Sequence, residues 1–416
     1  MSELDFNRLH YYGALLYAFL APFHQVVATG AMVLWALLSL VAFNKKESQR
    51  NKYLLMLPIL YLSYGVGIFY AESSSLHFLE HKLSFLLFPL IFSLHPYSEE
   101  ERNKVLKFFV YGLVVSSSVC LAVALFRSIG LVNGEIYFRA NVEENKAFME
   151  SILYGGNYFF GRYFSLFHQT VYFAFYLSIG ITILLFQHTL LKNKIRLILI
   201  GFFLTLIFLV SNKASFIALG LIFILRLITS RYALEKKLLG FLLFLFVMSL
   251  FISINPRARD SLYKVAAGEL AIDKDARYGF ATRLLSWDAA IALIKEKPIL
   301  GYGAGDAQSR LNQVYAEKEY IHPLKESYNA HNQWLQIWLE NGLLGLLIFV
   351  TIILLLFKIA FNGGQNLGFF LTIVSVLCIN AMFESIFNRF SGISFVSFLI
   401  CFFFTYNASK RKNIES

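Results

Sequence analysis

Apolar residues are gathered into long runs at 9–23, 26–43, 53–70, 77–94, 105–128, 164–187, 195–210, 213–229, 238–254, 343–359, 366–382 and 390–407. A helix rises 1.5 Å per residue, so roughly 20 residues cross about 30 Å of hydrocarbon. The pattern therefore predicts about 12 transmembrane helices, with only Phe23-His24-Gln25 between the first two, one of which is short enough to be tilted or half-inserted. Longer polar segments interrupt the runs at about 129–163 and 255–342. The earlier one ends in the turn signal Tyr154-Gly155-Gly156-Asn157. The later one places Leu284, Leu285, Ala289 and Ile291 to Ile294 at helical spacing until Pro298 halts the run. The expected fold is all-α: a polytopic membrane protein with a helical cap on its outer face. Its parts are a nine-span bundle over 1–254, a loop domain with an interfacial helix over 255–342, and three further spans over 343–416.

Composition sharpens this reading. Hydrophobic residues make up 57% of the 416 positions, charged residues only 15%, and mean hydropathy is +0.60. Soluble domains carry about a quarter charged residues. The formal charge of +11 would fit a nucleic-acid partner, but most Lys and Arg stand in short loops between apolar runs, where they act as topology signals. No nucleic-acid partner is expected. Cys120, Cys378 and Cys401 all fall inside apolar runs, which argues against a disulfide or metal cluster.

Orientation follows from the same basic residues. With both termini cytoplasmic, the inner side receives 19 of the 37, among them Lys45, Lys46, Arg50, Lys236, Lys237, Lys410, Arg411 and Lys412. The outer short loops hold Lys82, Arg127, Arg139, Lys146, Arg162, Lys213 and Arg389, and the rest lie in the long loop, where the rule loses force. Both long polar segments then face outward.

Candidate chemistry collects on that outer side. His331 opens a run, Asn332-Gln333-Trp334-Leu335-Gln336-Ile337-Trp338, that predicts a helix over 331–340 near the interface, ended by Asn341-Gly342. A neutral imidazole there can take a proton from a hydroxyl, and an imidazolium can pair with phosphate. A hydrogen-bonded interface histidine is the plainer alternative. Glu340 would stand opposite His331 on one continuous helix and share a polar stripe with Gln333 and Gln336, which favours a structural role. Gly342 and Gly345 suit close helix packing.

Arg162, Arg283, Arg389 and Lys213 form an outer cationic constellation that runs against the topology bias. Guanidinium forks bind phosphate oxygens bidentately. Arg389 could instead pair with Glu384, and Lys213, in the outer turn after Ser211-Asn212, could simply snorkel to the interface. Lys82 stands beside Glu80 and His81 and is read as locally paired, outside the site. The glycines of Gly301-x-Gly303-x-Gly305 lack the third spacing and the βαβ setting of a dinucleotide fingerprint and read as a tight turn. Asp273-Lys-Asp275 is an outward-facing pair with no nucleotide-sugar to bind, and no His/Cys metal spacing occurs.

These residues resemble a known family. Arg283-x-x-x-Trp287, then Pro298-Ile-Leu-Gly301-x-Gly303, His331-Asn332-x-x-Leu335 and Glu340-x-Gly342-x-x-Gly345 stand in an order similar to that of the bacterial O-antigen ligase / O-antigen polymerase superfamily. Gly161-Arg162 through Phe167-His168, and Ser211-Asn212-Lys213, resemble weaker upstream motifs. The resemblance implies a GT-C-like membrane glycosyltransferase that takes glycan from undecaprenyl pyrophosphate at the periplasmic face of the bacterial inner membrane and needs neither cofactor nor metal. It implies His331 as the catalytic, acceptor-activating residue, and Arg162 and Arg283 as pyrophosphate-binding arginines. Lys213 stands where many members carry Arg. His168, Asn332, Glu340 and Arg389 are secondary candidates.

The resemblance further implies a ligase acting on a lipid A–core acceptor. The alternatives within the family are a polysaccharide polymerase and a protein O-oligosaccharyltransferase. A transporter of lipid-linked glycan is the non-enzyme alternative, but such proteins tend to show matching halves, which the chain lacks.

Overall fold

The computed structural model describes residues 8–43, 48, 51–72, 77–143, 145–266, 274–276 and 279–406. Lys45, Lys46, Arg50, Lys410, Arg411, Lys412 and Asp273 lie outside the described residues. Every apolar run contains a helix. In the first part of the chain these are α1 (Leu9–Leu20), α2 (Gln25–Val41), α3 (Met56–Gly67), the short α4 (His77–Glu80) with α5 (Ser84–Leu94), and α6 (Glu99–Ser128). After the first polar segment, which contains α7 (Phe148–Leu153), come α8 (Thr170–Phe186), α9 (Asn193–Val210), α10 (Lys213–Thr229) and α11 (Leu234–Ile254). The second polar segment contains α12 (Pro256–Ala266), α13 (Phe280–Glu296), α14 (Ala307–Glu317) and α15 (Ile321–Lys325). The chain closes with α16 (Gln333–Phe361), α17 (Leu367–Phe383) and α18 (Phe390–Tyr406).

Among the described residues, 5 helices are long and apolar enough to cross a bilayer by themselves: α6, α9, α11, α16, and α17 with the turn before it. The chain is thus a multi-pass membrane protein, and the remaining apolar helices are shorter than a full span. The polar ends of these runs decide the helix limits. α6 begins at a capping box, where Ser98 Oγ accepts from Glu101 N and the Glu101 carboxylate accepts from Ser98 N. The apolar run 77–94 is split between α4 and α5, and Lys82 lies buried in the break.

The all-α expectation needs one correction. Residues 129–138 form a β-hairpin, with Ile129–Val132 antiparallel to Glu135–Phe138. Its turn is Asn133-Gly134, both at positive φ, a two-residue hairpin signal that the helical reading passed over.

Buried apolar side chains form separate clusters. The larger joins the apolar helices, with α1 against α2 and α6, α8 against α9, α10 against α17, and α16 against α3 and α17. The smaller joins Leu285, Ala289 and Leu293 of α13 to Leu311 and Tyr315 of α14, Tyr302 and Leu339. Apolar positions in α13 thus find partners inside the 255–342 segment itself.

Candidate functional site

The site is built where α13, the start of α16 and the α17–α18 connection meet. His331 does not begin the helix, as its sequence context led us to expect. It precedes it, at φ 44, a left-handed conformation rare for a residue with a side chain. Asn332 is the cap, its Oδ1 accepting from Trp334 N at 3.0 Å and Leu335 N at 3.2 Å. The Asn332 side-chain oxygen is thus engaged by the helix end. His331 N donates to Asn329 Oδ1, and Tyr328, whose carbonyl accepts from Tyr315 and Gln308, packs edge-on against the imidazole.

The imidazole's partner is Glu384, just past the end of α17. His331 Nδ1 lies 3.2 Å and 3.3 Å from the two carboxylate oxygens. The histidine side chain is 24% exposed and the carboxylate only 7%. Burial opposes ionisation of Glu384, but the hydrogen bond and charge of His331, with Arg283 behind them, hold its pKa below the ordinary value. With Nδ1 turned to a carboxylate, the opposite nitrogen is the one left to work on a substrate.

Arg283, in the first turns of α13, is near enough for its charge to favour the ionised form of the same carboxylate. Its Nε is buried without a hydrogen-bond partner, and among the described residues the guanidinium makes no ion pair within 4.0 Å. Burial lowers its pKa, partly offset by Glu384. Lys213 begins α10 after the left-handed Ser211 and the capping Asn212, as the turn predicts. An added Cβ at Gly279, the residue before α13, would lie 3.1 Å from Lys213 Nζ, so Lys213 reaches the same end of α13 that carries Arg283.

The other sequence candidates are placed differently. Arg162 is exposed and stacks on its neighbour Tyr163, with no contact to His331 among the described residues. Arg389 is exposed and does not pair with Glu384, which His331 engages instead. His168 is buried among the helices, its Nδ1 2.8 Å from Ser391 Oγ.

Glu340 is buried on the stripe with Gln333 and Gln336, and its Oε1 accepts from Gln336 Nε2 at 2.7 Å. Gly342 is a break in α16, at φ 61 and ψ −161, so the stop expected there is real although the helix resumes beyond it. The close approach at this glycine is made by the 298–303 turn and not by another helix. Tyr302 N donates to Leu339 O, Gly303 N to Glu340 O, and Leu343 N lies 3.1 Å from Pro298 O and 3.0 Å from Ile299 O. The glycine turn thus satisfies the backbone groups that the break frees.

Sequence reasoning missed Glu384, treated as a partner of Arg389, and Lys82, treated as locally paired. Lys82 is buried, with Nζ 3.1 Å from Phe387 O and over the Tyr64 ring. The signal available was the polar stretch Glu384-Ser385-Ile386-Phe387-Asn388-Arg389 between apolar runs. Among the described residues, no group of three or more His, Cys, Asp or Glu could hold a metal ion.

Residues 197–350 match the family model described as O-antigen ligase. That span contains Lys213, Arg283, His331, Asn332 and Glu340, and stops short of Glu384. A protein of Haemophilus influenzae (strain ATCC 51907 / DSM 11121 / KW20 / Rd), described as an uncharacterized protein, is 24% identical over 183 residues. The match covers 42% of this chain and 46% of that protein, so the chain spans less than half of its relative's length.

Proposed function

We propose that this chain, whose residues 197–350 match the O-antigen ligase family model, is a membrane enzyme of the O-antigen ligase/polymerase type and transfers glycan from undecaprenyl pyrophosphate to lipid A–core oligosaccharide. The reaction takes place on the periplasmic side of the inner membrane, with both termini in the cytoplasm and the 255–342 segment outside. The observation that carries this reading is the His331–Glu384 pair, with Arg283 near the same carboxylate and its buried Nε unpartnered.

The acceptor hydroxyl oxygen attacks the anomeric carbon, and the bond from that carbon to the pyrophosphate oxygen breaks. The hydroxyl proton passes to His331 Nε2. Glu384, hydrogen-bonded to Nδ1, fixes the ring's tautomer and steadies the imidazolium that forms, as a buried carboxylate does in a hydrolase triad. Undecaprenyl pyrophosphate departs with the bonding electrons. Arg283 meets its growing negative charge, with Lys213 at the same end of α13, because fixed cations in a water-poor site stabilise a transition state at little reorganisation cost. Exposed Arg162 and Arg389 supply the outer rim through which the anionic donor arrives. Attack opposite the leaving group inverts the anomeric carbon, and a product of retained configuration would overturn that step.

The test is a strain lacking the protein, complemented with wild type or His331→Ala. Its lipopolysaccharide gel profile and undecaprenyl-linked pool are read together. The ligase reading expects long glycan on the lipid carrier, bare core, and rescue by wild type only. Single repeats on the carrier with core capped by one unit would make the enzyme a polymerase. An unchanged profile and pool would remove both readings and leave protein glycosylation, another polysaccharide or transport.

A further inference from the structure

Behind the His331–Glu384 pair lies a second set of charged groups that the transfer chemistry does not use. Lys82, in the break between α4 and α5, is 4% exposed, and Glu340, in the first half of α16, is 5% exposed. Lys82 Nζ lies 4.2 Å from the centre of the Tyr64 ring, and Asn341, the neighbour of Glu340, donates to Ser63, the neighbour of Tyr64, at 3.1 Å. Both charges thus border Tyr64, near enough to influence one another although they make no direct ion pair. Two buried charges cost several kcal/mol each in desolvation, so a well-packed apolar pair would serve stability as well or better. Their surroundings show what else they do.

Each charge is wired to one of the two segments that must meet. Glu340 Oε1 accepts from Gln336 Nε2 at 2.7 Å, and Gln336 Oε1 accepts from Ala330 N at 3.0 Å. Glu340 thus grips, through one glutamine, the residue that precedes His331. Lys82 Nζ donates to Phe387 O at 3.1 Å, and Phe387 N donates to Gln333 Oε1 at 2.8 Å. Lys82 thus grips the loop that begins at Glu384. The α17–α18 connection and the 328–332 turn are 53 residues apart in sequence at the His331–Glu384 contact, and neither is a regular element that would hold its own geometry.

We infer that Lys82 and Glu340 are positioning residues, whose hydrogen bonds into the two segments, together with the attraction between their buried charges, clamp the turn bearing His331 onto the loop bearing Glu384. The clamp sits inside the apolar bundle, where low dielectric strengthens a charge pair. It rests on the reading of His331 and Glu384 as the reacting pair given above, but it is tested by a separate readout.

The variants are Lys82→Met, Glu340→Gln and the double Lys82→Met/Glu340→Gln, made in the full-length protein and purified in detergent. Either single change strands a buried charge and can fail to fold. The double change removes both charges and is expected to melt at or above the wild-type temperature. Two quantities are then measured on the double variant: turnover of lipid-linked glycan, and the rate at which diethyl pyrocarbonate modifies His331, followed by mass spectrometry of its peptide.

A clamp predicts turnover lowered roughly 10- to 100-fold, since small misplacements of reacting groups cost that much, with KM for the donor unchanged. It also predicts faster modification of His331, as the ring loosens from Glu384. A folded double variant with wild-type turnover and wild-type modification would overturn the inference, showing that the charges are carried without consequence. If the wild-type protein transfers no glycan, the proposed reaction falls, while the modification rate still decides the clamp.

Discussion

At the scale of single residues, His331 holds a conformation that costs about 1–3 kcal/mol when a side chain is present. Asn329 and Asn332 on either side repay part of that cost through backbone hydrogen bonds. The result aims Nδ1 at Glu384. The carboxylate's lowered pKa makes a pH prediction. A carboxyl group whose folded pKa is depressed stabilises the fold above its unfolded value, near 4.5. That stabilisation disappears as pH falls through the lower folded value. The wild-type thermal midpoint should therefore decline below about pH 4.5 in part through this group. Glu384→Gln should flatten that part of the decline, lower the midpoint at neutral pH, and slow transfer on the order of 100-fold. Calorimetry across pH 3–7 checks it, and an unaltered acid limb would show that Glu384 is not the titrating group. Arg283 and His331 were legible one by one, because each stands in a short motif that resembles a known family's. Their partner was not, since nothing in local spacing joins positions 331 and 384.

At the scale of elements, the interrupted helix α16 and the 298–303 turn depend on one another. An added Cβ at Gly342 would lie 2.0 Å from Ile299 O, and at Gly301 2.6 Å from Leu339 O, both at positive φ. No side chain fits where two backbones exchange hydrogen bonds this closely. Gly342→Ala should cost more than about 1–3 kcal/mol, the cost of its backbone strain alone. Limited proteolysis should then cut the 298–303 turn, which the wild type protects. A variant as resistant as wild type would mean the turn is not held there. The glycine pattern announced a tight turn, but which backbone it would meet depends on the return of the chain some 40 residues later, where Trp338 Nε1 also donates to Pro298 O.

At the scale of the whole molecule, the environment is readable from which apolar faces lack cover. α11 is 21 residues long and buries none of them, with Leu239, Leu242 and Phe246 widely exposed. Such a surface is stable only against an apolar solvent, which here is lipid. An arginine at Leu242 should cost about 2.5–3.5 kcal/mol of insertion free energy, and at Ala316, on the exposed side of α14, it should be near neutral. Recovery of the two variants in the membrane fraction measures the difference, and equal recovery would remove α11 from the bilayer.

The membrane class and the helical runs could be read from the chain alone, and its motifs singled out His331 and Arg283 as candidates. These depend on composition, on the 3.6-residue period and on local turn chemistry, all written within a few residues of each other. Packing of distant segments decided that Glu384 is the histidine's partner, that buried Lys82 and Glu340 bond to Phe387 and Gln336, and that the glycine turn fills the break at Gly342. Those contacts join distant segments, and side-chain geometry exists only once the helices have packed.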